Sequence, residues 1–169
     1  MLFYCHRINT IKELKKIPKK YGIEIDLRDK ENKIILVHDP FSTGEDFEEF
    51  LKYFNHQSII LNIKSERIEF RVLELLKKFN ITNYFFLDSS FPMIYQLNKI
   101  NEKNIAIRFS EFESFESVEL VKNMVKWIWI DCFTYFPLNK DIYKKIKDLG
   151  LKIGDLKRGD LVITKRGLI

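Results

Sequence analysis

Two acidic residues stand two positions apart in a short apolar stretch near the start of the chain. Glu24 and Asp26 are separated by one residue, so both side chains project from the same face of an extended strand. Two enclosed carboxylates are costly unless a positive group binds them. A hard divalent cation, Mg²⁺ or Ca²⁺, binds such oxygen ligands. A structural ion pair with Arg7, Arg28 or Lys64 explains the pair equally well, and these residues alone do not decide between the two.

Two of the three histidines end runs that are predicted to be extended. His6 is followed by Arg7, and His38 is followed by Asp39. A pair of imidazoles beside a substrate can serve as general base and general acid near neutral pH. A lone histidine at a strand end is more often an ordinary polar cap, so the prediction depends on their joint placement near the acidic pair. The third, His56, lies in a predicted connection and is interpreted as incidental.

Two cations accompany these groups. Arg7 suits bidentate contact with a phosphate, and Lys64 acts as a compact point charge. Asn62 precedes Lys64 by two positions and shares its face of the strand. A metal, two imidazoles and two cations together indicate a site for a phosphate ester or diester.

The order of these motifs resembles that of the glycerophosphodiester phosphodiesterases, which belong to the phospholipase C-like phosphodiesterase barrels. The family pattern is roughly His-Arg, Glu-Asn-Thr, Glu-x-Asp, His-Asp and Glu-x-Lys. The matching segments here are His6-Arg7, Asn9-Thr10, Glu24-Ile25-Asp26-Leu27, Val37-His38-Asp39 and Leu61-Asn62-Ile63-Lys64. The resemblance covers the first half of the chain well and the second half loosely, where Ser89-Ser90-Phe91 extends it.

The resemblance implies a metal-dependent hydrolase that cleaves a glycerophosphodiester, or a similar small phospho-linked headgroup, to glycerol phosphate and an alcohol. In the usual family mechanism a glycerol hydroxyl attacks the phosphorus and a cyclic intermediate follows. The implied roles are acid–base catalysis for His6 and His38, phosphate binding for Arg7 and Lys64, and binding of Mg²⁺ or Ca²⁺ for Glu24, Asp26 and Asn62.

Several positions depart from the family pattern. Ile8 stands where the family has Glu before Asn-Thr, and Asn62 stands where it has the third metal carboxylate. An Asn carbonyl can bind a hard cation but removes one negative charge. No Trp marks the predicted seventh strand, and Lys165 follows Thr164 where Asp is usual. These departures lead to an alternative hypothesis, a degenerate barrel that binds a phosphorylated ligand without efficient turnover.

Strand and helix patterns alternate along the chain. The predicted strands cover residues 2–5, 23–27, 58–63, 84–87, 105–109, 127–133, 151–153 and 161–164. This order predicts one α/β domain over residues 1–169, a (β/α)₈ TIM-type barrel. An open doubly wound sheet is the main alternative, although no Gly-rich phosphate loop is present. Only seven residues separate the last two strands, so the barrel is predicted to be shortened or partly open toward the C-terminus.

Local patterns predict three smaller features. Apolar residues recur every three positions from Ile8 to Ile17 and predict a helix, with Gly22 as its C-terminal cap. Residues 33–38 form an extended run that is interpreted as a short hairpin arm. A helix after the third strand is predicted from the spacing of its apolar residues, which are Ile68, Val72, Leu75, Leu76 and Phe79.

The charge of the chain limits the kinds of partner that the sequence predicts. The net charge is +5, and the lysine groups fall on predicted helix faces. A nucleic-acid binder is therefore a third, weaker hypothesis, and no specific nucleic-acid partner is predicted.

Cys5 and Cys132 are expected to be buried free thiols, with a disulfide between them left open. No run suggests a signal peptide or a membrane span, which predicts a cytoplasmic protein. A shortened barrel exposes apolar surface that a second copy could cover in a homo-oligomer.

Overall fold

The computed structural model describes the backbone of residues 2–157 and 161–165 and the side chains of residues 3–154. The described residues form ten strands and six helices. In chain order they are β1 (Leu2–Cys5), α1 (Ile11–Leu14), β2 (Gly22–Lys30), β3 (Lys33–Leu36), β4 (Glu45–Asp46), α2 (Phe47–Leu51), β5 (Ile59–Ile63), α3 (Glu69–Lys78), β6 (Tyr84–Leu87), α4 (Phe91–Lys99), β7 (Ala106–Phe109), α5 (Phe115–Val121), β8 (Trp127–Ile130), α6 (Lys140–Asp148), β9 (Lys152–Lys157) and β10 (Leu161–Lys165).

The described residues divide into two compact units. The first unit covers residues 4–86. The second unit combines the residues up to Phe3 with those from Leu87 onward. The strand and helix alternation places an α/β fold in both, as the sequence predicted. The prediction of a single domain over residues 1–169 stays a prediction.

Parallel strands form the centre of the first unit. Strand β2 lies parallel to β1 on one side and parallel to β5 on the other, and β5 pairs with β6. The far end of β2 continues into an antiparallel pairing with β3, which pairs in turn with the short β4. The hairpin arm predicted for residues 33–38 is therefore present.

Strand β2 is buried on both faces. Ile23, Ile25 and Leu27 are fully buried, and the acidic residues between them are buried as well. Gly22 begins this strand and is not the helix cap that the sequence suggested. A Cβ on Gly22 would stand 2.4 Å from the ring of Tyr4, so the close approach of β1 leaves no room for a side chain.

The helix that precedes β2 is shorter than its three-residue repeat predicted. It runs only over Ile11–Leu14, with the Thr10 hydroxyl accepting a hydrogen bond from the amide of Glu13. Pro18 follows soon after, and a proline disfavours helical backbone in the residue before it. Ile8 and Ile17 therefore lie outside the helix.

The second unit corrects the prediction of eight parallel strands. Strands β7, β8 and β9 are parallel, but β10 runs antiparallel to β9, with Leu161 opposite Lys157. Three residues separate these two strands in the sequence, enough for a hairpin and far too few for a parallel crossover. The described strands thus form a mixed sheet and do not form the predicted all-parallel (β/α)₈ ring.

The end of strand β8 corrects the predicted burial of Cys132. The strand stops at Ile130, earlier than the predicted Phe133, so Cys132 is exposed rather than buried. Cys5 is partly exposed, and burial raises the pKa of its thiol. Both thiols are free, as predicted.

Two other expectations concern the surface. The lysine groups of the helices are exposed, as the helical spacing predicted. Among the described helices, none has the length and apolar character needed to span a bilayer.

Candidate active site

Three oxygen-bearing side chains meet on the neighbouring strands β2 and β5. Glu24 is 1 % exposed, Asp26 is 0 % exposed and Asn62 is 7 % exposed. The parallel register sets Asp26 opposite Asn62. Nδ2 of Asn62 donates to Oε1 of Glu24 at 2.8 Å. The two strands thus bring together the residues that the sequence nominated as metal ligands.

Two of the buried oxygens in this cluster have no hydrogen-bond donor. Oδ1 of Asp26 and Oδ1 of Asn62 are buried and accept no hydrogen bond from the described residues, and Nζ of Lys64 forms an ion pair with the Asp26 oxygen at 3.8 Å. Buried carboxylate and amide oxygens that lack hydrogen bonds also fit the ligand set of a hard cation. No group of three or more His, Cys, Asp or Glu side chains in the described part of the chain is arranged to hold a metal. The third ligand would therefore be the amide oxygen of Asn62.

The environment of Glu24 opposes its ionisation. Burial, and then the neighbouring charge of Asp26, raise the pKa of Glu24 to about 7. The amide of Arg7, the side chain of Asn62 and the charge of Lys64 act in the opposite direction. Without a cation, Glu24 is therefore partly protonated near neutral pH.

Arg7 contacts the site through its backbone and its side chain. Its φ of 54° is the left-handed conformation, which costs energy in a residue with a side chain. In this conformation its amide N–H donates to Oε2 of Glu24 at 2.8 Å, while Nη2 lies 3.0 Å from Nε2 of His38. The same carboxylate oxygen of Glu24 stands 3.7 Å from Nε2 of His6. In the described part of the chain, the Arg7 guanidinium contacts His38 and not the acidic pair. Of the three ion-pair partners that the sequence left open, Lys64 is the one that pairs, with Asp26.

The contacts of His38 assign its protons. A guanidinium can only donate, so Nε2 of His38 accepts from Arg7. The ring is then neutral with its proton on Nδ1, which donates to Oδ1 of Asp39 at 2.7 Å. This hydrogen bond from His38 lowers the pKa of Asp39. The carboxylate is thus placed to stabilise an imidazolium whenever Nε2 takes up a proton.

Asn9 orients Asp26 and had no role in the sequence interpretation. Its Oδ1 accepts from the backbone N–H of Asp26, and its Nδ2 donates to Oδ2 of the same residue, both at 2.9 Å. The Asn-Thr motif that contains Asn9 was the available signal. The motif could not show that the amide hydrogen-bonds to both the backbone and the carboxylate of Asp26.

Arg28 joins the two segments that carry His38 and Lys64. Its Nε and Nη2 donate to the carbonyl oxygen of His38 at 3.0 and 2.9 Å, and its Nη1 donates to the carbonyl oxygen of Lys64 at 2.7 Å. The sequence suggested Arg28 only as a partner of the acidic pair. No pattern in the sequence predicts that a guanidinium will bind two backbone carbonyls.

The second unit contains a separate ionic cluster. Arg108 pairs with both Asp88 and Asp131, and the indole N–H of Trp129 donates to Asp131 at 3.0 Å. Trp127 and Trp129 are buried. The guanidinium of Arg108 partly neutralises the two carboxylates of this cluster.

Comparisons with known proteins bear on the fold. No family model matches the chain, and no curated protein sequence matches it. A crystal structure described as a candidate glycerophosphoryl diester phosphodiesterase from Agrobacterium tumefaciens is similar with a TM-score of 0.68 and 13 % identity, over 90 % of this chain and 83 % of that one. A candidate glycerophosphodiester phosphodiesterase from Galdieria sulphuraria matches with a TM-score of 0.46 and 16 % identity, over 89 % of this chain and 91 % of that one. At 13 % identity the first likeness shows the fold alone.

Proposed function

We propose that this protein hydrolyses a small phosphodiester of the glycerophosphodiester class. The observation that supports the proposal best is the meeting of a buried carboxylate pair with two histidines and two cations inside one compact unit. The likeness in fold to a structure described as a phosphodiesterase supports the same class of reaction. The residues proposed for the site are His6, Arg7, Glu24, Asp26, His38, Asn62 and Lys64.

Arg7 and Lys64 are proposed to bind the phosphate. Nη2 of Arg7 is held by Nε2 of His38 without substrate, and Nζ of Lys64 stands 3.8 Å from Asp26. A phosphodiester anion is a stronger acceptor for a guanidinium than a neutral imidazole, because it carries a full negative charge and can accept two parallel N–H bonds. Phosphate binding would therefore draw Arg7 away and release Nε2 of His38.

The two histidines are proposed to divide the proton transfers. His6 takes the proton from the glycerol hydroxyl, whose oxygen then attacks phosphorus. After Arg7 has moved to the phosphate, Nε2 of His38 takes up a proton from solvent. As the bond from phosphorus to the leaving alcohol breaks, His38 donates this proton to the departing oxygen. Asp39 suits His38 to the acid role, since its carboxylate stabilises the imidazolium before the transfer. Water then opens the cyclic phosphate with the two roles reversed, and glycerol phosphate leaves.

A divalent cation is proposed at Glu24, Asp26 and Asn62. When bound, it would supply charge stabilisation to the phosphoryl oxygens. The residues themselves contribute two carboxylates and one amide oxygen, kept in place by Asn9 and by the register of β2 with β5. Mg²⁺ and Ca²⁺ both prefer this kind of oxygen ligand.

One observation favours a second candidate function, a protein that binds a phosphorylated ligand without efficient turnover. Asn62 donates its amide N–H to Glu24, so the site has two carboxylates where a third would strengthen cation binding. With a weakly bound cation, the two phosphate-binding cations would still hold an anion.

The experiment is a hydrolysis assay on a panel of glycerophosphodiesters, with Mg²⁺, Ca²⁺ or a chelator present. We expect release of glycerol phosphate that chelation abolishes, and a thermal midpoint that rises with added cation, because a ligand that binds only the native state stabilises it. Ligand binding without turnover would support the second function. Absence of both, or tight salt-dependent binding to nucleic acid instead, would reject the proposal.

A further inference from the structure

A cavity that is open to solvent lies beside His38 within the first unit. It has a volume of about 380 Å³, inside the range of roughly 300–1,000 Å³ that holds small ligands. Its wall includes Asn9 and His38, which contact Asp26 and Arg7 respectively. The cavity therefore adjoins the groups to which the phosphodiester chemistry has been assigned.

Two side chains of the cavity wall, Thr43 and Glu45, have oxygens with spare capacity to accept a hydrogen bond from a ligand. Both amide atoms of Asn9 are engaged by Asp26, and the hydroxyl of Thr10 donates to Glu13. The hydroxyl of Thr43 makes no hydrogen bond with the described residues.

Glu45 is the one lining residue that bears a charge while His38 is neutral. Its Oε2 accepts from the amide of Ile11 at 2.7 Å, and the described residues supply this carboxylate with no other hydrogen bond and no ion pair. Pairing of β4 with β3 sets Glu45 opposite Leu36. The adjoining Gly44 packs so closely that a Cβ there would lie 2.2 Å from the Leu36 carbonyl oxygen. The carboxylate is thus held on the cavity wall without a cation beside it.

This combination selects a ligand rich in N–H donors and positive in charge. A primary ammonium carries three N–H donors and can satisfy a carboxylate and a hydroxyl at once. A quaternary ammonium has no N–H and is typically bound by aromatic faces. Apart from the imidazole of His38, no aromatic ring lines the cavity. An anionic group would be repelled by Glu45.

We propose that this cavity receives the leaving alcohol and that Glu45 selects an alcohol bearing a primary ammonium group, as in an ethanolamine headgroup. The proposal rests on the proposed function, because the cavity is assigned to the alcohol through its contact with His38.

The test compares glycerophosphoethanolamine with glycerophosphocholine and with the uncharged-headgroup diester glycerophosphoglycerol. We expect kcat/KM to be about 10-fold or more higher for the primary ammonium diester, the size of a charge-assisted hydrogen bond. Glu45→Gln keeps an oxygen for the Ile11 amide but loses the charge, so the preference should fall close to one. Thr43→Val, at an exposed position, should lower the same ratio by a smaller factor. This second variant tests the proposal if Glu45→Gln does not fold. Glu74→Gln on α3 is the matched control and should keep the preference.

A binding measurement separates failure of the cavity from failure of the hydrolase. Calorimetric titration of the same three diesters into a His6→Ala variant, with and without Glu45→Gln, reports selection in the absence of turnover. Hydrolysis without a preference, or a preference that survives Glu45→Gln, overturns the cavity assignment and leaves the hydrolase standing. A binding preference lost with Glu45→Gln in a protein that hydrolyses none of the three supports the cavity and rejects the hydrolase. Absence of both binding and hydrolysis overturns both.

Discussion

Nδ2 of Asn62 donates to Oε1 of Glu24 at 2.8 Å, across two parallel strands. An amide thus stands where the sequence resemblance led us to expect a third metal carboxylate, and it partly compensates the acidic pair. In the absence of a cation, this donor is one of three groups that limit the rise in the pKa of Glu24.

Replacing this amide by a carboxylate should tighten cation binding. In Asn62→Glu a third negative charge would face the cation, and we expect the dissociation constant for Mg²⁺ or Ca²⁺ to fall by about tenfold or more. In chelator the same variant should melt at a lower temperature, because an unpaired charge is then buried. Titration calorimetry and thermal melting measure both effects, with Asn62→Gln as the uncharged control. A large loss of stability that added cation does not recover would reject Asn62 as part of a metal site.

Loss of either site histidine should remove activity with the fold intact. His6→Ala and His38→Ala should each lower kcat by about 10²- to 10⁴-fold, the usual contribution of a general acid or base. His56→Gln is the matched control, since the ring of His56 hydrogen-bonds to the carbonyl oxygen of Ile17 and lies beside the ring of Phe54. Steady-state kinetics and circular dichroism provide the measurement. Full activity in both alanine variants would show that neither residue transfers a proton.

The protonation of Glu24 should make the metal-free protein less stable as the pH rises. The pKa of Glu24 is raised from 4.5 to about 7 in the folded protein, so the folded state keeps a proton that the unfolded chain releases. This stabilising contribution is fully present below pH 4.5 and is lost progressively toward pH 7. A shift of this size corresponds to roughly 3 kcal/mol at most.

The measurement is the free energy of unfolding in urea with chelator present, from pH 4.5 to pH 8. Glu24→Gln removes the ionisable group, and the wild-type protein should lose stability relative to this variant across the interval. Glu74→Gln, on the exposed surface of α3, should follow the wild-type profile. Parallel profiles for wild type and Glu24→Gln would contradict the raised pKa.

Arg28 is a positioning residue, and its loss should affect turnover more than substrate binding. It donates to the carbonyl oxygens of His38 and Lys64 and, within the described part of the chain, forms no hydrogen bond with the acidic pair. Arg28→Lys keeps the charge but cannot bridge both carbonyls with one planar group. Misplacing catalytic groups by about 1 Å can cost 10²-fold, so we expect kcat to fall by about 10- to 100-fold with a smaller change in KM.

The kinetic split distinguishes this role from phosphate binding. Arg7→Lys should raise KM as well as lower kcat, because Arg7 is proposed to touch the phosphate. Arg71→Lys, at an exposed i,i+3 pair with Glu74, is the matched control for a change of arginine to lysine. An Arg28→Lys protein with the wild-type kcat would exclude a positioning role.

Much of this molecule follows from local patterns in the chain. Alternating apolar and polar residues placed Glu24 and Asp26 on one face of a strand, and the strand order placed Asn62 beside them. Helical spacing located the core of α3, and the run ending at His38 predicted the hairpin arm. These features depend on periodicities of two and 3.6 residues, which can be recognised from residues that are close together in the sequence.

Other features depend on contacts between residues far apart in the chain, and only the folded structure reveals them. Arg7 uses its amide for Glu24 and its guanidinium for His38, whereas the residue types alone suggested an ion pair with the acidic residues. Asn9 and Arg28 acquire their roles because a turn and a strand end bring them to particular backbone groups. Each polar side chain has several acceptable partners by chemistry, and the three-dimensional path of the backbone decides which one lies within hydrogen-bonding distance.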